Sequence, residues 1–439
     1  MSAKPQTAGW RQYFALNSST GALLGAIVLV SLGSELWGPF LPKRMQNLGG
    51  GTWEMILAIA VYGSFRDLLE AINYFMGGWI AGRFNTRRGL LLFNAAPLVG
   101  LAVLMLWPSP AAMFVAVPFV FVWDSLAGPA LLTVVGDSLP PDRRAMAFSL
   151  QSLFRRLSRV IAYTINSILV LLIGTTLGMQ AAFATSFVVV LVGLFVQLRY
   201  MKTATQDSGT IIHRPLAVLR DFDPQLKRLL AADIFARLAE GMPRELIIIF
   251  VISLLMKALG LADEAAWSAF AMLLIVSQVT SAVTYIVMGH VASKPGLAKK
   301  PYIGWTFFFF ASFPAVLALL GWLLGHGMLG GQQTLALVVL SVAFVFMGMR
   351  EIGEPARKAM IVDLIPPAQK TQSIGIYWSA RCVAVMLAPL VGGAIWLGTN
   401  AAFGVGLADA TGPGPYAMLL ASSLCGVAGV IYYYRRFGK

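Results

Sequence analysis

At 439 residues, 58% of them hydrophobic and 12% charged, with a mean hydropathy of +0.75, the chain is too apolar for a water-soluble globular protein. The 33 Lys and Arg against 19 Asp and Glu leave a formal charge of +14, but these cations sit mostly in short loops between apolar runs, which argues against a nucleic-acid partner. Two cysteines (Cys382, Cys425) and three histidines (His213, His290, His326), none clustered, give no disulfide framework and no metal site, and no cofactor is implied.

Apolar segments near the ~20 residues that cross a bilayer recur from end to end. In order they predict twelve spans at 19–41, 53–81, 89–108, 111–138, 146–173, 180–201, 227–257, 265–291, 301–326, 333–363, 371–397 and 413–434. Residues 1–18 are polar and the first run is long enough to stay as a span, so no cleaved leader is expected. The connection 202–226 is longer than the others and carries both signs of charge. It divides the chain into an N-terminal six-helix bundle (1–201), a linker (202–226) and a C-terminal six-helix bundle (227–439). With the N-terminus placed in the cytoplasm, nineteen loop and terminal cations fall on that side and three (Lys43, Arg44, Lys257) on the other. This bias puts both termini on the cytoplasmic face of a bacterial-type inner (plasma) membrane.

The two halves echo each other. After span 2 the chain reads Gly78-Trp79-Ile80-Ala81-Gly82-Arg83-Phe84-Asn85-Thr86-Arg87-Arg88; after span 8 it reads Gly289-His290-Val291-Ala292-Ser293-Lys294-Pro295-Gly296. Each has a glycine closing an apolar run, a cation five residues on, and a residue tolerant of positive φ seven residues on (Asn85, Gly296). A second echo repeats Pro129, Asp137, Pro140, Pro141 and Arg155 as Pro355, Asp363, Pro366, Pro367 and Arg381, all at one offset of 226.

On these residues the chain resembles a major facilitator superfamily transporter, over nearly its whole length. The resemblance implies an all-α membrane fold of twelve helices in two pseudo-symmetric six-helix bundles, alternating access to a central cavity, and helices 1, 4, 7 and 10 lining that cavity. It casts Gly78, Arg83, Asn85, Arg87, Asp137, Gly289, Lys294, Gly296 and Asp363 as conformational or gating residues. Two departures stand out. The acid usual in the family's signature turn is replaced by Gly82 and Ser293, and helix 5 (Ala162-Tyr163-Thr164-Ile165-Asn166-Ser167) lacks the Gly- and Pro-bearing stretch of the family's drug–proton antiporters.

The charges inside the spans carry the chemistry. Span 7 holds Asp233, Arg237, Glu240 and Arg244 on one helical stripe; at roughly 2.5–3.5 kcal/mol each on insertion scales, these four charges cost about 10 kcal/mol or more. Span 10 holds Arg350, Glu354 and Arg357 at i, i+4, i+7, flanked by Glu351 and Lys358. Span 2 holds Arg66, Asp67 and Glu70, span 1 Glu35, span 4 Asp124, span 5 Arg155, Arg156 and Arg159, and span 11 Arg381. The repeat makes Asp124 the counterpart of Arg350, and Arg155 that of Arg381. Candidate substrate-binding residues are Asp124, Arg237, Glu240, Arg350, Glu354, Arg381, Arg66 and Arg155. Candidate proton-coupling residues are Glu35, Asp67, Glu70, Asp124 and Glu240, since a carboxylate whose Arg partner leaves gains proton affinity. Pro243 and Pro389 predict breaks in spans 7 and 11.

Catalysis is not expected. Gly136-Asp137-Ser138-Leu139 matches a string found in one class of esterases but closes a membrane span and lacks the downstream Asp-x-x-His; no His-Glu-x-x-His, Gly-x-Ser-x-Gly or nucleotide-binding loop occurs. The expectation is a monomeric secondary active transporter, proton-coupled, moving a small anionic or zwitterionic organic solute. The alternative is proton-driven efflux of lipophilic cations, with Glu35, Asp124 and Glu240 recognising the cation.

Overall fold

The computed structural model describes residues 18–83, 86–121, 141–200, 215–292, 299–328, 332–365 and 370–437, and every regular element among them is a helix. In the N-terminal half these are α1 (Ser18–Glu35), a 3-10 turn (Gly38–Phe40), α2 (Leu41–Leu48), α3 (Trp53–Arg83), α4 (Thr86–Leu106), α5 (Pro110–Val120) and α6 (Pro141–Tyr200). After α7 (Pro215–Asp221) come α8 (Pro224–Arg244), α9 (Ile247–Leu259), α10 (Asp263–Ala292), α11 (Lys300–Gly325) and α12 (Gln333–Met349). The chain finishes with α13 (Glu354–Leu364), α14 (Lys370–Val385), α15 (Ala388–Ala402) and α16 (Pro413–Arg436). Part of the linker, 201–214, and part of span 4, 122–140, lie outside the described residues.

Six described segments are long and apolar enough to cross a bilayer, among them Asp263–Val291, Lys300–Gly325 and Pro413–Arg436. Their outward faces are greasy: Leu172 is 75% exposed, Leu424 70% and Phe195 65%. Lipid accepts such a surface where water does not, so the protein is an integral membrane protein.

Helix breaks decide where the polar residues point. Spans 5 and 6 run together as α6, but Gly174 (φ +81°) reverses the chain within it. The two arms then pack so closely that a Cβ on Gly178 would sit 2.8 Å from the Val170 Cα. Span 7 breaks after Arg244, just beyond Pro243, and span 11 breaks at 386–387, just before Pro389. Span 1 stops at Glu35, short of the expected 41. Span 10 corrects the sequence reading: Arg350, Glu354 and Arg357 do not share one continuous helix, because the chain turns at 350–353. The cause is tertiary. Gly353 donates its N–H to Thr306 Oγ1 at 2.7 Å and lies so close to α11 that a Cβ would meet the Tyr302 carbonyl oxygen at 2.3 Å. Pro355 then starts α13, where its missing N–H costs nothing.

Between the halves, the most extensive packing is α10 on α6, followed by α14 on α3. Within each half, α1 packs on α6, and α16 packs on both α8 and α11. One apolar cluster joins the halves, running from Leu36, Trp37, Phe40 and Phe183 through Trp267, Phe270 and Phe344. A second, around Leu226, Phe307, Tyr377 and Tyr433, belongs to the C-terminal half.

A charged cavity between the halves

A cavity of about 480 Å³ opens between α1, α3 and α6 on one side and α8, α10, α12, α13 and α14 on the other. That is room for a small organic solute. Helical periodicity loads it. On α6, Ser152, Arg155, Arg156, Arg159 and Tyr163 recur at i, i+3, i+4, i+7 and i+11 and all face inward. On the opposite wall the 350–353 turn brings in Arg350 and Glu351 together with Glu354, Arg357 and Lys358. Among the described lining residues ten are cationic and six are carboxylates, an excess of positive charge.

The charges form four groups. The largest lies within the C-terminal half. Arg357 is bidentate to Glu354 (2.9 and 2.7 Å) and reaches Asp233 at 2.7 Å. Arg237 bridges Glu240 (2.6 Å), Glu354 (3.5 Å) and Asp233 (3.7 Å). Arg350 meets Glu240 at 3.3 Å, and Arg381 meets Asp233 at 3.6 Å. Among the described residues three carboxylates therefore serve four guanidiniums. The surplus is spread over aromatic faces: Arg381 lies 4.0 Å over Trp378, and Arg237 and Arg350 each lie 4.8 Å from the Phe310 ring.

The second group ties the halves. Arg244 reaches Asp67 at 2.9 Å and Glu245 at 2.8 Å, while Arg66 reaches Glu70 at 3.1 Å and Glu245 at 3.4 Å. In the third, also between halves, Arg156 meets Glu351 at 2.8 Å and Gln278 at 2.9 Å, and the Tyr285 hydroxyl donates to Glu351 at 2.6 Å. The fourth is Glu35, which accepts from Arg159 at 2.6 Å and Tyr163 at 2.9 Å.

One end of the cavity is sealed. Phe40 stacks on Trp267 with ring centroids 5.5 Å apart, and the Trp267 indole N–H donates to Asn166 Oδ1 at 2.9 Å. The Ser167 and Ser268 hydroxyls, one from each half, are 2.5 Å apart. Elsewhere along the cavity wall, Tyr74 of α3 and Trp378 of α14 stack at 6.0 Å.

Seven of the eight candidate substrate residues line the cavity: Arg66, Arg155, Arg237, Glu240, Arg350, Glu354 and Arg381. Asp124 lies outside the described residues. The repeat pairs it with Arg350, whose partner among the described residues is Glu240. Glu35, Glu70 and Glu240 line the cavity, whereas Asp67 is buried behind it, 3% exposed. Of the gating candidates, Asn85, Asp137, Lys294 and Gly296 lie outside the described residues. Gly78, Arg83 and Arg87 fall in α3 and α4 without described side chains, Gly289 is buried in α10, and Asp363 pairs with Lys299 at 3.3 Å. Sequence reasoning overlooked Glu245, since a regular helix puts it off the span 7 stripe. The break after Arg244 turns it inward, and Pro243 was the signal that the count should restart there.

No protein-family profile matches the chain, nor does any sequence among the curated proteins. Solved structures do. The human organic anion transporter MFSD10 (TETRAN) superposes with a TM-score of 0.64 at 16% identity, over 95% of this chain and 99% of that one. A variant of the nucleoside transporter NupG gives 0.66 at 11%, over 96% and 100%. The proton:xylose symporter XylE, bound to 6-bromo-6-deoxy-D-glucose, gives 0.65 at 11%, over 98% and 97%. The chain has the major facilitator fold.

Removing Arg357, 1% exposed, leaves Asp233 and Glu354 short of countercharge. Arg357→Ala is expected to cost about 3–5 kcal/mol, read as a lowered thermal midpoint of the purified protein in detergent.

Proposed function

We propose that the protein is a secondary transporter that carries a small organic anion or zwitterion across a bacterial-type inner membrane by alternating access, driven by protons. The observation that carries the reading is the positive excess of the cavity: a solute bearing a carboxylate, sulfonate or phosphate neutralises charge that the described acids leave over. Guanidinium groups suit such ligands because their paired N–H donors match two oxygens at once. The transporters that share the fold support the class, and one of them is an organic anion transporter.

In the proposed cycle residues 1–201 and 227–439 rock against each other, joined by 202–226. Both termini and the basic turns around Arg83, Arg87 and Lys294 face the cytoplasm. The Phe40–Trp267 seal closes the opposite side. Opening that side separates Arg244 from Asp67, Arg66 from Glu245 and Arg156 from Glu351. A carboxylate that loses its guanidinium while still shielded from water takes up a proton more readily, which couples the motion to the proton gradient. Glu35 and Glu70, which line the cavity, and Asp67, paired across the halves, are the proposed proton carriers.

Two experiments test this reading. Thermal unfolding of the purified protein is measured against organic anions, zwitterions, sugars and lipophilic cations. A ligand at 100 times its Kd adds about 2.7 kcal/mol. Stabilisation by anions or zwitterions, weakened in Arg350→Ala and Arg381→Ala, is the expected result; stabilisation by lipophilic cations alone installs a cation exporter instead. In the second experiment, cysteines replace Ser167 and Ser268. Oxidation should block transport and reduction should restore it, whereas transport undiminished by the cross-link contradicts alternating access.

A further inference from the structure

The cavity is not lined evenly. Six apolar side chains of its described wall, Val120, Phe121, Ile247, Phe270, Leu274 and Met347, belong to the same core cluster as Phe40 and Trp267 of the seal. Phe270 meets Phe40 edge-on with ring centroids 6.3 Å apart, and Phe121 lies 5.8 Å from Trp37. Trp378, which also lines the cavity, belongs to the other cluster and lies under Arg381. The greasy part of the wall is therefore continuous with the sealed end.

Chain order locates the change of polarity. Along α10, leading away from Trp267, the wall residues are Phe270 and Leu274, then Ser277, Gln278, Ser281 and Tyr285. On α12, Met347 is followed by Arg350 and Glu351. Phe344, three residues before Met347, stands 6.1 Å from Phe270, so α12 too enters from the sealed end. In span 7, α9 leads from Ile247 toward the turn that starts α10, while Glu245 and Arg244 lie on the other side of Ile247. On α6 the Tyr163 ring, 6.0 Å from Phe40, comes one turn from Arg159. Each element thus steps from apolar or aromatic to charged or hydrogen-bonding within about one helical turn, ~5.4 Å. The apolar end is roughly 6 Å deep, the rise of the four residues from Phe270 to Leu274.

We infer that the transported solute is an amphiphilic monoanion, a phenyl or short alkyl body bearing one oxyanion, and that Ile247, Leu274 and Met347 select it by that body. The body enters the sealed end. The oxyanion then reaches Arg244 and Arg350, three residues from Ile247 and Met347. Both guanidiniums already hold carboxylates, but a guanidinium has more N–H donors than one carboxylate uses. A sugar acid or a compact polyanion would press hydroxyls or a second charge against Leu274 and Met347, where burial without a hydrogen-bond partner is costly. An apolar body instead gains about fourfold in affinity for each methylene it withdraws from water. Phe121, Ile247 and Met347 are only half-buried, which leaves apolar surface for that body to cover. The inference rests on the anion-carrier reading and adds the chemistry of the part of the solute that carries no charge.

The test uses purified full-length protein and matched probes: acetate, hexanoate, benzoate, succinate, uncharged hexanamide and hexylammonium, with affinities taken from thermal shift and isothermal titration. Hexanoate and benzoate should each bind about tenfold or more tighter than acetate and succinate. Hexanamide and hexylammonium should bind weakly. Met347→Gln, close to isosteric, should leave the ligand-free thermal midpoint near that of the wild type and lower the hexanoate-to-acetate affinity ratio by about fivefold or more. Leu274→Gln should lower the same ratio. If the wild type binds acetate or succinate as tightly as hexanoate, the apolar end does not read the solute and the anion-carrier reading stands. A ratio unchanged in both variants overturns the assignment in the same way. If no anion stabilises the wild type, whatever hexylammonium or hexanamide does, both readings fall.

Discussion

A charge among membrane-spanning helices has little bulk water to lean on, and the described residues of this protein place sixteen charged side chains around one cavity. On insertion scales each such group costs several kcal/mol before it finds a partner. The structure meets that cost by pairing, down to Arg357 and Asp233 at 1% exposure. Much of the architecture follows. The breaks after Arg244 and at 350–353 place Glu245, Arg350 and Glu351 where a straight helix would not. The one-faced run from Ser152 to Tyr163 turns three charges and two hydroxyls of α6 toward the same space. Aromatic rings from Phe310, Phe313 and Trp378 cover guanidiniums that have fewer carboxylates than they need.

Pairing of this kind is strong but not permanent, and its layout suits a machine with moving parts. The network of Asp233, Arg237, Glu240, Glu354 and Arg357 is internal to the C-terminal half. The pairs at Asp67, Glu245 and Glu351 instead run between halves, where α3 and α6 face α8–α14. In the proposed cycle a rocking motion would leave the first set intact and exchange the second. The apolar seal of Phe40 and Trp267 needs no such exchange, because separating greasy surfaces costs little where lipid or a solute can replace them.

The sequence carried the broad architecture and much of the cavity. Spans 2, 3, 8, 9 and 12 appear close to their expected limits, because hydropathy over 20 or more residues is a dense signal. The span 7 stripe was legible because four charges at helical spacing in an apolar run have no cheap alternative to facing inward. The turn at 350–353 was hidden, since its cause is the backbone of Tyr302 and the hydroxyl of Thr306, about 50 residues away in the chain. Glu245 was lost for a related reason: angular counting assumes an unbroken helix. Lys358 was visible as a charge in span 10, but its contact with the Ser152 hydroxyl of α6 is a matter of distances that no sequence contains. The basic turns at 78–88 and 289–300 fall largely outside the described side chains.

The central claim is that positive charge left over in the cavity draws in an organic anion and moves it. Reconstituted protein on a solid-supported membrane reports this directly, as the transient current that follows a jump in solute concentration. The account predicts saturable currents with organic anions or zwitterions, reduced in the Arg381→Ala variant and small with lipophilic cations. Saturable currents confined to lipophilic cations, undiminished by loss of Arg381, would contradict it.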